Sequence, residues 1–537
     1  MMFGTLLRFR LRRDRTQLIV WALALFFMMY AVVADVQETF PTAADRAATL
    51  KVMLVTPAIL MFRGTPQGAS EGAFTATLGL AFMALLAGMM STFLVVRHTR
   101  AEEERGQAET IAATAAGRLA PSLAVIAEGV LANVMATVVI ALGCLAGGLP
   151  AAGSWLLAAG CGVTGLSFVG VALVFAQLMP TSRSANGWSA ALVVVAYFVR
   201  GIGDAAGEVH DASLSLTPAW PSWLSPIGWA QLAFPFAQNR VWPLPIGAAF
   251  FVVLVGVALL VQDRRDVGAG VIAERRGRIG ASVVLRGPFG LAARLERGTL
   301  IGWIVALVAL STLVGDLSGV VVDQLASAGP GVADAINRIG GEQGTVLQAF
   351  ANLGAVFSGL LAAAICVQGA MRLRQEEAVG LADAALAAAV GRTRWMLSYL
   401  IVAAIGAVVA LVLGGLVSGS LAGAQAGGFS AWFGGIVWQT PGVLVFLGIT
   451  ALTFAVLPQA TMAVGWVVFA AAGFLGMFGP LLGVPEWAQK LSPLVHAPAV
   501  ALPHPDYTGG WVMAVLAVAL CAAAVLLFRR RDTRPVG

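Results

Sequence analysis

The segment RAEEERGQAETIAATAAGR, from Arg100 to Arg118, is a charged stretch that separates two long apolar runs. The same pattern returns as RQEEAVGLADAALAAAVGR, from Arg374 to Arg392, at an offset of 274 positions (374 − 100). These segments are named here the first and second copies of the repeated block. The matching pairs are Arg100 and Arg374, Glu102 and Glu376, Glu103 and Glu377, Gly106 and Gly380, Glu109 and Asp383, Gly117 and Gly391, and Arg118 and Arg392. A polar block that recurs between apolar runs predicts an internally duplicated fold.

The composition of the chain points to lipid as its solvent. Of its 537 residues, 59% are hydrophobic and only 11% are charged, whereas soluble domains carry about 25% charged residues. The net charge of +6 comes almost entirely from arginines at the ends of apolar runs, so we expect no nucleic-acid partner. The four cysteines lie inside apolar runs and are typical of buried hydrophobic residues rather than of disulfides or a metal site. These features predict an all-α integral membrane protein.

Apolar stretches of about 20 residues, each long enough to cross a bilayer, occur six times in each half. In the first half they cover 17–36, 74–96, 121–147, 152–178, 187–205 and 244–262, and in the second 299–322, 350–371, 395–420, 431–456, 460–483 and 510–528. The first stretch, which follows an arginine-rich segment, could instead be a cleaved signal peptide. Its length, and the similarity of RRDRTQLIVW (ending at Trp21) to RLERGTLIGW (ending at Trp303), favour a retained membrane span.

Arginine and lysine predict the orientation of the spans, because cytoplasmic loops are enriched in them. The first arginines of the chain, both copies of the repeated block and the final arginines all fall on one side, so we expect both termini in the cytoplasm of a bacterial inner-membrane protein. The expected domains are a first six-span half at 1–262 with an interfacial N-terminal helix, a basic linker and interfacial helix at 263–297, and a second six-span half at 298–537. An even number of spans per half makes the two repeats parallel, so their pseudo-two-fold axis should lie along the membrane normal.

Two shorter motifs are also written twice. Leu224-Ser225-Pro226 matches Leu491-Ser492-Pro493, and Arg264-Arg265-Asp266, just after the sixth span, matches Arg530-Arg531-Asp532 after the twelfth. Their order is kept while the offset drifts, as loop insertions would cause. The duplication therefore extends over the whole chain.

The repeated block is itself predicted to be a short cytoplasmic helix. Its acidic start complements the dipole of a helix N-terminus, and Gly117 is a plausible C-terminal stop. A helix with one charged end is suited to docking in a groove of another protein. The alternative is a solvated loop that only enforces topology, but topology needs only arginine or lysine and does not require repeated Glu-Glu, Gly and Gly-Arg positions.

The pattern R-x-E-E-x-x-G-x-x-E/D, followed after a gap by Gly-Arg between the second and third spans of each half, resembles the ABC-2 class of exporter permeases. The fused twelve-span form, together with RRDVGAG at Arg264, RLERG at Arg294 and the paired LSP motifs, is similar to the actinobacterial tetronasin-type ABC exporter permeases, a family of polyketide-antibiotic and multidrug exporters. The resemblance implies that the fourteen matched residues above form coupling helices, which seat in two copies of a separate ATPase subunit. Ala378 and Val379 replace Glu104 and Arg105 in the second copy, so the two docking surfaces are expected to be unequal.

The chain has no nucleotide-binding motif of its own. A phosphate-binding loop needs G-x-x-x-x-G-K-[S/T], and neither Lys51 nor Lys490, the only lysines, lies in such a setting. ATP and Mg²⁺ are therefore expected on the partner subunits, with no cofactor and no enzyme activity in this chain.

Polar residues inside the spans are candidates for a cavity or a substrate path, because charge at membrane depth is costly unless it faces protein or water. They are Glu128 and Asn133 in the third span and Asp316 in the seventh. Glu128 could equally lie near enough to the cytoplasmic edge to pair with an arginine. Arg200 and Asp204, four residues apart near the outer end of the fifth span, are interpreted as an interfacial pair.

The sequence thus predicts the permease of an ABC exporter, which moves hydrophobic or amphipathic small molecules outwards by alternating access. One alternative is an ion- or proton-coupled secondary transporter, for which Glu128 and Asp316 are the available acids. The other is a polytopic membrane enzyme. His496, His504 and Asp506 share one outer loop, but no catalytic or metal-binding spacing is present there.

Overall fold

The computed structural model describes residues 2–112, 119–265, 268, 270–272, 280, 282, 286–327, 346–388, 390–422, 428–478, 484–500 and 505–531. The chain divides into two compact units, Met1–Arg276 (unit 1) and Gly277–Gly537 (unit 2). Of the fourteen matched residues of the repeated block, Gly117 and Arg118 lie outside the described residues.

Unit 1 is built from helices and one short hairpin. The helices are α1 (Met2–Thr39), α2 (Ala43–Val55), α3 (Pro57–Phe62), α4 (Glu71–His98), α5 (Arg100–Glu104), α6 (Gln107–Ala112), α7 (Ala120–Ala146), α8 (Ala151–Leu178), α9 (Ser182–Ala205), α10 (Pro226–Gln231) and α11 (Leu244–Asp263). Between α9 and α10, β1 (Glu208–His210) pairs antiparallel with β2 (Ser215–Thr217), and 3-10 turns cover Asp211–Ser213 and Trp220–Leu224.

The described part of unit 2 consists of helices and the segments that connect them, with no strand. Its helices are α12 (Pro288–Ser327), α13 (Val346–Ala378), α14 (Leu381–Ala387), α15 (Arg392–Ala422), α16 (Gly428–Val437), α17 (Thr440–Val456), α18 (Thr461–Phe478), α19 (Glu486–Gln489) and α20 (Thr508–Arg530). Short 3-10 helices cover Pro458–Ala460 and Pro493–His496.

Within the described ranges, twelve helical stretches are long and apolar enough to cross a membrane. Each contains or overlaps one of the twelve apolar runs predicted from the sequence, so the all-α membrane fold is confirmed. The most enclosed spans are those of α8 and α4, whose apolar windows are 78% and 72% buried inside the chain. Those of α11 and α1 are only 17% and 22% buried, which leaves their apolar surfaces for lipid.

Three features of the helices differ from the sequence-based expectation. The arginine-rich segments ahead of spans one and seven continue directly into those spans, giving helices of 38 residues (α1) and 40 residues (α12). The tenth span, expected to be continuous, breaks between α16 and α17 at Trp438 and Gln439. Pro441 stands in the first turn of α17, where its missing N–H and fixed φ are tolerated, whereas inside a continuous helix they would remove a hydrogen bond.

The Arg200–Asp204 pair, interpreted from the sequence as interfacial, is enclosed by protein. Both side chains are 0% exposed, and Nη1 of Arg200 lies 3.0 Å from Oδ2 of Asp204. The other carboxylate oxygen accepts a 3.0 Å hydrogen bond from the hydroxyl of Thr65, and Nη2 of the arginine donates to the carbonyl of Met61. The pair is enclosed because α3 and the turn at Trp220–Leu224 pack over this end of α9.

Candidate coupling surface

Glycine interrupts both copies of the repeated block in the same way. Gly106 and Gly380 have φ angles of +72° and +77°, in the left-handed region that other residues rarely adopt. Among the described residues, a Cβ at either position would meet no atom within 4 Å, so backbone conformation rather than space requires glycine. In unit 1 the glycine separates α5 from α6, and in unit 2 it separates α13 from α14. The expectation of one uninterrupted helix in the first copy was therefore wrong.

Glu102, the first glutamate of the first copy, faces inwards. It is 6% exposed, and its carboxylate receives Nη2 of Arg10 at 3.0 Å and Nη1 of Arg13 at 3.1 Å. Nδ1 of His98, one turn earlier on α4, lies 3.1 Å from the same carboxylate. Glu102 therefore joins α1 to the end of α4 within unit 1.

Glu103, the second glutamate, is held by two arginines. Nη1 of Arg100 lies 2.7 Å from its carboxylate, and Nη1 of Arg265 lies 3.0 Å from it. A second contact joins Nη2 of Arg265 to the other carboxylate oxygen, so the pair is bidentate. Arg265 belongs to the RRD motif that follows α11, the sixth span. The structure thus brings together two motifs that stand 162 residues apart.

The second copy repeats this arrangement. Glu377 is 1% exposed, and Nη2 of Arg531, from the second RRD motif, contacts its carboxylate. Nη1 of Arg531 donates to the carbonyl of Phe454 at 2.6 Å, and its guanidinium lies over the rings of Phe454 and Phe528 at 4.8 and 5.3 Å. We name the pairs Glu103–Arg265 and Glu377–Arg531 the clasps. In each unit a clasp fixes the repeated block to the segment after that unit's last span.

Several other members of the block are also engaged within the chain. Arg100 is 2% exposed and donates to the carbonyls of Pro180 and Gly268. Glu376 is 7% exposed and pairs with Arg372 at 2.6 Å. Arg374 pairs with Glu377 at 3.6 Å, and Nη1 of Arg392 donates to the carbonyl of Arg531 at 2.9 Å. The carbonyl of Gly391 accepts the first backbone hydrogen bond of α15, from the amide of Trp395.

What the block presents to the outside lies near its glycines. In the first copy Glu104, Arg105 and Glu109 are exposed, although Glu104 also accepts a hydrogen bond from the amide of Ser182 at 2.7 Å. In the second copy Val379 and Leu381 are 75% and 52% exposed, and Asp383 is exposed beside them. The two presented surfaces are therefore different: the first is charged and the second is mainly apolar.

The three candidate cavity residues lie in different surroundings. Glu128 is 0% exposed on α7, with Oε2 3.9 Å from Nε2 of His98. Asn133, also on α7, is 1% exposed and donates to the hydroxyl of Ser91 and the carbonyl of Gly129, both at 2.9 Å. Asp316 is exposed on α12. Glu128 and Asn133 are thus enclosed by helix packing in unit 1, and Asp316 is not.

Sequence reasoning missed several residues of this site. Arg10, Arg13 and Asp14 were interpreted as part of an interfacial helix, and His98 was not singled out. Arg265 and Arg531 were visible only as members of a repeated RRD motif. Their coincidence with the repeated Glu-Glu was a signal that could have suggested the clasps.

The chain is similar to known efflux proteins. The family model described as "Multidrug efflux system permease Rv1217c, C-terminal domain" matches residues 285–529. The multidrug efflux system permease protein Rv1217c of Mycobacterium tuberculosis (strain ATCC 25618 / H37Rv) is 35% identical over 537 residues, which cover 98% of this chain and 95% of that protein.

Proposed function

This chain belongs to the family of the multidrug efflux permease Rv1217c, and we propose that it is the transmembrane subunit of an ATP-driven ABC exporter of the ABC-2, tetronasin-type class. Its substrates would be hydrophobic or amphipathic small molecules of the antibiotic or drug type. The protein would lie in a bacterial inner membrane with both termini in the cytoplasm. The observation that carries the proposal is the repeated block, clasped in the same way in each unit.

The energy source is assigned to partner subunits. The sequence has no phosphate-binding lysine motif, so ATP and Mg²⁺ would bind to a separate ATPase chain. Because two copies of the block exist in one chain, one permease would engage two ATPase copies. The exposed residues around Gly106 and Gly380 would form the docking contacts.

The clasps would transmit a movement of the ATPase to the membrane-spanning helices. An ATPase that moves on binding ATP would displace the exposed part of each block. Because Glu103 and Glu377 tie the block to Arg265 and Arg531, the displacement would pass to the ends of α11 and α20 within each unit. Repeated closure and release would drive alternating access.

The proposal is tested by purifying the full chain from detergent-solubilised membranes of cells that express it natively, and by identifying the proteins that copurify with it. We expect a Walker A protein to be recovered, with ATP hydrolysis that vanadate inhibits. A variant that combines Glu109→Arg with Leu381→Asp changes exposed residues of both copies, so recovery of the ATPase should fall at least about tenfold while the permease itself stays folded.

Glu208→Arg provides the control, because it reverses an exposed charge on β1, away from the block. Recovery of the ATPase in this variant should equal that of the wild type. Export of a fluorescent drug by proteoliposomes that contain only this chain would contradict the proposal, as would full ATPase recovery by the doubly substituted block.

A second candidate, proton-coupled transport, is favoured by one observation, the complete burial of Glu128 beside His98. The matched position in unit 2 is Val402 (128 + 274), so such coupling would involve one unit only. Drug uptake into inverted vesicles separates the two candidates, since the exporter requires ATP and the alternative requires only a pH gradient.

A further inference from the structure

Three acid or imidazole side chains meet inside unit 1, away from the exposed part of the repeated block. Asp14 comes from α1, His98 from the end of α4 and Glu128 from α7. All three are 0% or 2% exposed, and one ligand-type atom of each lies within 4.8 Å of the others. Sequence spacing does not reveal the cluster, because the residues stand 84 and 30 positions apart (98 − 14 and 128 − 98).

The imidazole has the orientation that metal-binding histidines show. Nδ1 of His98 is 3.1 Å from the carboxylate of Glu102, so that carboxylate can accept its proton. Metal-binding histidines commonly donate their second nitrogen to a carboxylate in this way, which leaves the other nitrogen as a ligand. Here that nitrogen, Nε2, faces Asp14, which it contacts, and Glu128 at 3.9 Å.

The carboxylate of Glu128 has no hydrogen-bonding or coordinating partner among the described residues. Within the described part of the chain, neither of its carboxylate oxygens has a hydrogen-bond partner. The arginines around the cluster have other partners than Glu128: Arg10 and Arg13 pair with Glu102, and Arg97 lies 3.4 Å from Asp14. A buried carboxylate without a partner costs several kcal/mol.

A proton on Glu128 would remove the charge but not the missing contacts. Its carboxyl group would remain 3.9 Å from Nε2 of His98, beyond hydrogen-bond distance. A divalent cation among the three side chains would accept lone pairs from one nitrogen and two carboxylates, and it would balance both negative charges. Ligand atoms about 2.0–2.2 Å from a metal lie roughly 3–4 Å from each other, so small side-chain shifts complete the geometry.

Unit 2 lacks these properties at the matched positions. They hold Glu296 (14 + 282), Arg372 (98 + 274) and Val402 (128 + 274). The guanidinium of Arg372 pairs with Glu376 as His98 pairs with Glu102, but arginine offers no lone pair and valine no oxygen. The second unit therefore uses a permanent cation where the first has an imidazole.

We propose that Asp14, His98 and Glu128 bind one divalent transition-metal ion of the zinc class, which staples α1, α4 and α7 together in unit 1. Imidazole and carboxylate ligands suit such ions, with water completing the coordination. The site differs from the coupling surface and does not depend on the proposed function.

The test uses the full chain, purified in detergent and stripped with a chelator, with Co²⁺ as the probe. We expect about one Co²⁺ per chain by elemental analysis, with a visible d–d absorption that Zn²⁺ abolishes. Glu128→Val and His98→Arg each install the residue of unit 2 and should lower bound metal at least about tenfold, because each removes a ligand. His210→Ala removes an exposed imidazole on the β1–β2 hairpin and should leave the stoichiometry unchanged.

Several results would overturn the proposal. Bound Co²⁺ below about one tenth per chain in the wild type excludes the site. Equal metal content in the wild type and in a folded Glu128→Val variant places the metal elsewhere. If either variant fails to fold, the wild type alone decides, since Zn²⁺ must then raise its unfolding temperature relative to the chelator. If Zn²⁺ does not change the unfolding temperature of the wild type but a change from about pH 5 to pH 8 does, the cluster binds a proton instead of a metal.

Discussion

Removing the arginine of a clasp should loosen the repeated block, and more strongly in unit 2 than in unit 1. The perturbation is Arg531→Met in one variant and Arg265→Met in the other. Methionine keeps much of the apolar length of arginine but removes the charge. Each change leaves the clasp glutamate with its second arginine as an ion-pair partner.

The ion pair that each glutamate keeps differs in length, and this length determines how much more unit 2 should be destabilised than unit 1. Without Arg265, Glu103 keeps Arg100 at 2.7 Å, whereas without Arg531, Glu377 keeps Arg374 at 3.6 Å. With an effective dielectric constant of about 20, the surviving attractions are ~6 and ~4.6 kcal/mol, a difference of ~1.5 kcal/mol. Arg531→Met also loses the contacts with two aromatic rings, worth about 0.5–1 kcal/mol or more each.

Hydrogen exchange of the purified full chain measures this difference locally. A loss of ~1.5 kcal/mol corresponds to roughly a tenfold faster exchange where local opening limits the rate. We therefore expect Arg531→Met to accelerate exchange in α14 about tenfold more than Arg265→Met accelerates it in α6. A double-mutant cycle with Glu377→Gln should show a coupling of about 1–3 kcal/mol between Glu377 and Arg531.

Equal acceleration in the two variants would refute the electrostatic reasoning. A coupling energy below about 0.5 kcal/mol between Glu377 and Arg531 would show that the clasp does not stabilise the repeated block. Lys490→Met is the matched control, because its pair with Glu486 is exposed, and exchange in both blocks should not respond.

Two further substitutions follow from single positions. Gly380→Ala should destabilise the turn before α14 by about 1–2 kcal/mol, because alanine is strained at φ +77°. The measurement is the rate of hydrogen exchange in this turn, which should rise. Gly298→Ala is the control: it lies within α12 with open space around it, so the change should be neutral or stabilising. Asp204→Ala leaves Arg200 buried without its carboxylate and should lower the free energy of unfolding by about 3–5 kcal/mol in a denaturation experiment, whereas Glu486→Ala should cost less than about 1 kcal/mol.

The membrane spans could be read from the sequence because lipid imposes a simple local rule. Every backbone polar group must be paired within its own helix, so long apolar runs become helices regardless of their neighbours. Helix ends were harder to predict. The arginine-rich start of α1 continues the helix of the first span, because arginine is a good helix former and nothing after Arg15 breaks it.

The candidate site could be located from the sequence but not described. The repeated Glu-Glu pattern marked the segment that holds both clasps, and the block's docking role stays a prediction. Its glutamates were expected to face a partner, yet Glu102 and Glu377 are 6% and 1% exposed. Their partners are 92 and 154 positions away, and no local pattern predicts which distant arginine a glutamate will meet.

The sequence by itself determined the solvent of this protein, its twelve spans and its duplication, since these depend on composition and on periodicity along the chain. The tertiary structure alone decided what the charged residues do. Packing of α1 against α4 and α7 placed Asp14, His98 and Glu128 together, and packing after the last span of each unit closed the two clasps. The physical reason is that burial is costly for a charge unless a partner is brought to it, and only the folded chain supplies partners from distant positions.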